Sequence, residues 1–152
     1  MSFPAVSLPL AHGFVIGDLE WPHLGEGWWD RMVSPDRPGL HHRTSKRCAH
    51  FRLLGQAGQR ELRMLLSASV TLIGGPAWIE VLASSEGNAP RTLGTLEIAW
   101  EDWAVHALAC PVESEGPIHF ELRSLTPYVP HHTLHNGDHR EMGVHLAAAH
   151  LC

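Results

Sequence analysis

Apolar and polar positions alternate along this chain in short runs. In residues 49–55, Phe51 and Leu53 fall on one face and His50 and Arg52 on the other. Residues 118–125 repeat the pattern, with Ile118, Phe120 and Leu122 against His119, Glu121 and Arg123. Residues 61–73 form a longer run in which Leu62, Met64, Leu66 and Ala68 share a face at period two. A short helix near residues 60–66 is the alternative there, but the Ser, Val and Thr that follow favour strand. Residues 77–83 set Trp78 and Glu80 against Ile79 and Val81. The runs 93–100 and 103–110 are separated only by Glu101-Asp102, which predicts a hairpin-like or bulged connection. The run 142–151 closes the chain with Val144, Leu146 and Ala148 inward and His145 and Ala147 outward.

Gly, Pro, Asn and Asp punctuate these runs at 55–58, 74–76, 84–90 and 113–117 and in a long loop at 126–141. No stretch carries a sustained helical period. The prediction is an antiparallel β-sandwich of jelly-roll type with about 7–9 strands. Residues 1–48 differ. They are rich in Pro, Gly and Trp, and predict an opening strand within 12–19 followed by long loops over one end of the sandwich. The 152 residues are one domain's worth of chain, 1–152, with the main strands in 49–152.

Composition narrows the function. Hydrophobic residues are 44% and charged residues 18%, as in ordinary globular domains. The net charge of −5 comes with no basic run, which argues against a nucleic-acid partner. No apolar stretch approaches the roughly 18–20 residues that span a bilayer, so no membrane insertion is expected. Residues 1–14 lack a basic n-region and a long apolar h-region, which predicts no secretory leader. Cys48, Cys110 and Cys152 are odd in number and unpaired in spacing. They read as reduced thiols of a cytoplasmic protein, with Cys48 and Cys110 as small hydrophobes in or beside strands.

The 13 histidines invite a metal reading. His131, His132, His135 and His139 crowd the loop PHHTLHNGDHR and are the candidate metal ligands. No HExxH and no Cys/His pair of pairs accompanies them, and His132, Asn136 and His139 echo a His-Asn-His nuclease only loosely. His50, His106, His119 and His145 alternate with apolar residues as outward strand positions do. No Gly-x-Ser-x-Gly, GxGxxG or P-loop is present, and the carboxylate pairs sit in turns. The chain therefore reads as no enzyme and as needing no cofactor. A metal-dependent enzyme built on the His-rich loops is one alternative.

Tryptophan is the other excess. Trp78 and Trp100 are expected in the core. Trp28, Trp29 and Trp103 are candidate ligand platforms, since an indole face stacks on a sugar ring while its N–H finds a polar partner. Adjacent Trp28 and Trp29 point apart in an extended segment, one inward and one available. Asp138 and Arg140 share a face after the Asn136-Gly137 turn. They bind ligand, or they hold the loop, with Asp138 capping the turn and Arg140 bridging to Glu26 or Asp30.

Three pieces in order carry a family resemblance. They are Gly25-Glu26-Gly27-Trp28-Trp29 with Arg43-Thr44; Trp103 with residues 116–124; and Tyr128-Val129-Pro130 with Asp138-His139-Arg140-Glu141-Met142-Gly143-Val144. Together they resemble a small β-sandwich module attached to bacterial glycosyltransferases and other polysaccharide-biosynthesis proteins, over about residues 12–151. Arg43-Thr44 stands where the pattern has Arg-Trp-Thr, and Met142 where it has Leu. The resemblance implies a non-catalytic carbohydrate-recognition or interaction module in polysaccharide or glycoconjugate assembly, whose partner is a glycan or a glycosyltransferase. The second alternative is a structural sandwich that forms a homo-oligomer through a sheet face or edge.

Overall fold

A computed structural model describes residues 10–152. The readings made on residues 1–9, including the absence of a leader, lie outside them. Two antiparallel sheets pack face to face as a β-sandwich of jelly-roll type, as the alternation predicts. The larger sheet has the order β2-β3-β10-β5-β8, built from β2 (Met32–Ser34), β3 (Arg37–Thr44), β10 (His145–Leu151), β5 (Glu61–Ser67) and β8 (Ala104–Ala109). Its short sixth strand, β1 (Gly13–Val15), pairs with the second half of β10, on the edge whose first half holds β3. The smaller sheet runs β4 (Cys48–Gly55), β9 (Gly116–Ser124), β6 (Ala77–Ser85) and β7 (Arg91–Ile98). Two short helices, α1 (Val70–Ile73) and α2 (Pro130–Leu134), lie in connections.

The core is filled from both inner faces. Leu62, Met64, Leu66, Leu146 and Leu151 from the larger sheet meet Phe51, Leu53, Ile79, Val81, Phe120 and Leu122 from the smaller one. The Phe51 and Phe120 rings stack with centroids 5.0 Å apart. Each such buried side chain contributes about 1.5–3 kcal/mol. Two glycines fix the loops to the strands. Gly27 adopts φ +97°, and a Cβ there would strike the Cys48 carbonyl. A Cβ at Gly143 would strike the Ser45 side chain, whose oxygen accepts the Val144 N–H at 2.9 Å.

Several expectations change. The run 61–73 is not one strand: β5 stops at Ser67, and Val70–Ile73 form a helical turn closed by Gly74 in the left-handed region. Glu101-Asp102 does not join a hairpin. β7 and β8 belong to different sheets, and residues 99–103 cross between them. Within 1–48 the loops enclose a hairpin, β2–β3, whose polar His41, His42 and Arg43 hide the strand pattern. A bulge between Leu146 and Ala148 shifts the period of β10. Ala149 and Leu151 thereby join the core, and Ala148 turns outward. Trp78 and Trp100 are not core residues; they are 39% and 77% exposed. His106 pairs with core-facing Met64 and so points inward, not outward. All three thiols are free, but only Cys110 is buried; Cys48 is exposed. Among the described residues no helix is long and apolar enough to cross a membrane.

Candidate functional site

Register builds the site. Ser67 on β5 pairs with His145 on β10, which pairs with Thr44 on β3. Ala104 pairs with Leu66, so Trp103, one residue earlier, continues that row beyond Ser67. Directly paired residues point to one side of a sheet. The neighbouring row, Leu66 and Leu146, faces the core, so Trp103, Ser67, His145 and Thr44 face outward. His42, two residues before Thr44, joins them on the same side. Helix α1 and the 99–103 crossing raise one wall. The result is a cleft of about 460 Å³ lined by Ser34, His42, Ser67, Ser69, Thr71, Glu101, Trp103 and His145, with Ala68 and Leu72.

A hydrogen-bond chain runs beneath it. Tyr128 Oη donates to Ser69 Oγ at 3.1 Å. Ser69 Oγ lies 3.1 Å from His145 Nε2, and Thr44 Oγ1 lies 2.7 Å from His145 Nδ1. With Ser69 accepting from Tyr128, its own proton goes to Nε2, and His145 donates from Nδ1 to Thr44. That assignment makes the imidazole neutral. Burial, followed by the neighbouring His42, pushes the His145 pKa down to about 4. His42 is lowered as well, chiefly by burial. Its ring packs 5.3 Å from both the Trp103 and His145 rings, and its buried Nδ1 has no hydrogen-bond partner among the described residues. Glu101 accepts the Thr71 N–H at 3.1 Å, and hydrogen bonds from Thr71 hold its carboxyl below the usual range. The cleft thus offers an indole, hydroxyls, two neutral imidazoles and one carboxylate.

Of the other predicted residues, Trp29, Asp138 and Arg140 form a second cluster, which Trp28 does not join. Trp28 packs against the core, and its Nε1 donates to the His50 carbonyl at 2.8 Å. Trp29 points elsewhere: its Nε1 donates to the Glu141 carbonyl at 3.0 Å, and its ring takes Lys46 Nζ at 4.4 Å and Arg140 Cζ at 5.5 Å. Arg140 does not reach Glu26 or Asp30 for its hydrogen bonds. Its Nε and Nη2 donate to the two Asp138 oxygens at 2.9 and 2.7 Å, which holds the Asp138 pKa at about 2. So Trp29, Asp138 and Arg140 stand together, with Arg140 bonded to Asp138, the Trp29 ring under Arg140 and the Trp29 Nε1 held by the Glu141 carbonyl, and Trp103 stands apart in the cleft. Thr44 joins the two places: its carbonyl accepts the Trp29 N–H at 2.9 Å while its hydroxyl holds His145.

The histidine loop is a short helix and its exit. His131 packs 4.2 Å from His139 and 5.9 Å from His135. His131 Nδ1 is already an acceptor for the Gly137 N–H at 2.8 Å. His132 N–H donates to the Val129 carbonyl. Among the described residues no three His, Cys, Asp or Glu side chains converge on a point where they could hold a metal.

Sequence reasoning named Trp103 but missed His42, Ser67, Ser69, Thr71, Glu101, Tyr128 and His145 as its neighbours. Ser67 and Ser69, polar breaks in an apolar run, were the available signal. A larger cleft of about 610 Å³ at the other end of the strands, around Glu86, Arg91 and Glu113–Gly116, has no aromatic side chain in its lining.

No protein-family model matches the chain, and no curated protein matches it in sequence. Solved structures do match in shape. A family 35 carbohydrate-binding module from an environmental isolate superposes with TM-score 0.54 at 8% identity, covering 92% of this chain and 91% of that one. The fold is shared with carbohydrate-binding modules. A second family 35 module, captured with a glucuronic acid-containing disaccharide, gives TM-score 0.51 at 11% identity over 93% of each chain. A family 43 arabinoxylan arabinofuranohydrolase from Bacillus subtilis, in complex with cellotetraose, gives 0.54 at 14% identity over 93% of this chain. The chain spans only 27% of that enzyme's length.

Proposed function

We propose that the chain is a non-catalytic carbohydrate-recognition module, and that the Trp103 cleft is where it binds. The observation that carries this is the row Trp103–Ser67–His145–Thr44. It sets an indole beside hydroxyls and a carboxylate on an open face of the sandwich. An indole supplies the apolar surface for a sugar ring, and fixed polar groups select its hydroxyls. Among the described lining residues Glu101 is the single carboxylate, whereas glycoside hydrolysis ordinarily uses a pair. Trp29 ties the 126–141 loop to β3, its Nε1 donating to the Glu141 carbonyl and its backbone N–H to the Thr44 carbonyl, while the backbone bridge to Met142 holds Tyr128 beside Ser69.

The context we propose is bacterial polysaccharide or glycoconjugate assembly, in a reducing cytoplasm and beside a glycosyltransferase. It is supported by the Gly-Glu-Gly-Trp-Trp opening, the Asp138-His139-Arg140 closing piece and the three free thiols. Calorimetry with an oligosaccharide panel tests the binding reading. Saturable binding by the native chain, lost in Trp103→Ala with the fold intact, is the expected result. Binding of no glycan would end the reading.

Self-association is the second reading, and one observation favours it. Val15, Ala148, Leu65 and Val105 pair in a single apolar row on the same outer face, with Val15 and Val105 exposed. Sedimentation at rising concentration separates it, since a constant monomer would exclude it.

A further inference from the structure

The charge of the cleft lining points to a class of sugar. We propose that the Trp103 cleft takes an uncharged glycan and rejects sugars bearing a carboxylate, sulfate or phosphate. This rests on the reading of the cleft as a carbohydrate site and adds the substrate class to it.

Recognition of an anionic sugar calls for a guanidinium or ammonium that reaches its oxygens. Among the described lining residues there is no Lys or Arg. Four neighbouring cations are committed elsewhere. Arg43, adjacent to His42, lies 3.6 Å from the Glu20 carboxylate and donates to the Trp29 carbonyl at 3.2 Å. Lys46 sits over the Trp29 ring. Arg47 bonds both Glu141 oxygens at 3.0 Å, and Arg140 bonds Asp138. None of these four is left to neutralise a ligand anion, and Arg37, which pairs with Ser34 across β2 and β3, is exposed and lies outside the lining.

The imidazoles do not substitute for them. His145 is fixed as a neutral ring by Ser69 and Thr44, and protonating it would break the bond it accepts from Ser69. His42 packs against both Trp103 and His145, and among the described residues it forms no ion pair with a carboxylate that would favour its charged form. Glu101 supplies the opposite field. Hydrogen bonds from Thr71 hold it in its ionised form, and an ionised carboxylate there repels a second one. The shared fold does not set this choice, because a neighbour of the same fold was captured with a glucuronic acid-containing disaccharide. The lining side chains set it.

The experiment compares matched ligands on the native chain. Oligogalacturonate and glucuronate-bearing xylan oligosaccharides are each titrated beside their carboxyl-reduced forms, which keep the ring stereochemistry and lose the charge. At low ionic strength the neutral member of a binding pair is expected to bind about tenfold more tightly. Glu101→Gln is expected to shrink that ratio, and a thermal melt shows that it is folded. Equal or tighter binding of the uronate, lost in Trp103→Ala, would overturn the charge inference and leave the carbohydrate reading standing. If neither member of any pair binds, and a neutral hexose and pentose panel also fails, the carbohydrate reading itself falls.

Discussion

Thr44 and His145 are joined across β3 and β10 by a hydrogen bond of 2.7 Å between a hydroxyl and an imidazole Nδ1, both on the outer face of the larger sheet. Thr44 is buried. Replacing it with Val keeps the shape and leaves the ring N–H unpaired. Thr44→Val is therefore expected to lower stability by about 1–3 kcal/mol, and Thr44→Ser by less. Urea unfolding measures both. Equal losses would show that the hydroxyl is not what matters.

The same histidine makes stability depend on pH. Folded His145 takes up its proton near pH 4, against an ordinary value of 6.5. In that window the unfolded chain binds more protons, so stability falls as the pH drops from 6.5 towards 4 and this contribution levels off below. The contribution from His145 is at most about 3 kcal/mol. Lowered His23, His42, His50, His106 and His119 act in the same direction. Lowered Asp138, Glu101 and Glu141 extend the loss to lower pH, because their stabilisation disappears as they protonate. Thermal melts from pH 7 to 4 should show this slope, and His145→Asn should flatten it. An unchanged slope in the variant would contradict the assignment.

Arg140 is expected to anchor a loop. In Arg140→Ala the Asp138 carboxylate loses its two side-chain bonds, and the Trp29 ring loses one of its cations. Hydrogen exchange should then speed up within 126–141, including the His131 amide that donates to the Asp138 carbonyl at 2.8 Å. Exchange confined to its native rate would assign Arg140 another role.

Trp100 should be dispensable to the fold. It is 77% exposed, so Trp100→Gln is expected to change stability by no more than about 0.5 kcal/mol. A large loss would restore it to the core.

That last case shows where local pattern stops being informative. Strands β4 and β9 alternate cleanly and were legible in the sequence, because Phe51, Leu53, Ile118, Phe120 and Leu122 each face one core. Trp100 carries the same apolar signal, but β7 ends at Ile98 and the chain is already crossing to the other sheet. β3 was hidden for the converse reason: its His, Arg and Thr side chains serve the outer face and the loops, not the core. The bulge in β10 reverses the expected facing of Ala148. The site was less legible still. Trp103 stood out as a residue type, but Ser67, His145 and Thr44 meet it only through register across neighbouring strands, and nothing local in the sequence encodes that register.

The most direct test of the cleft reading is a nuclear magnetic resonance titration that follows the tryptophan indole signals as a neutral oligosaccharide ligand is added. The Nε1 protons of Trp28 and Trp29 are held by the His50 and Glu141 carbonyls and serve as internal references. The account predicts a saturable shift of the Trp103 signal, together with the amides of Ser67, Ser69 and His145, while Trp28 and Trp29 stay in place. A shift of Trp29, Asp138 and Arg140 with Trp103 unmoved would contradict it.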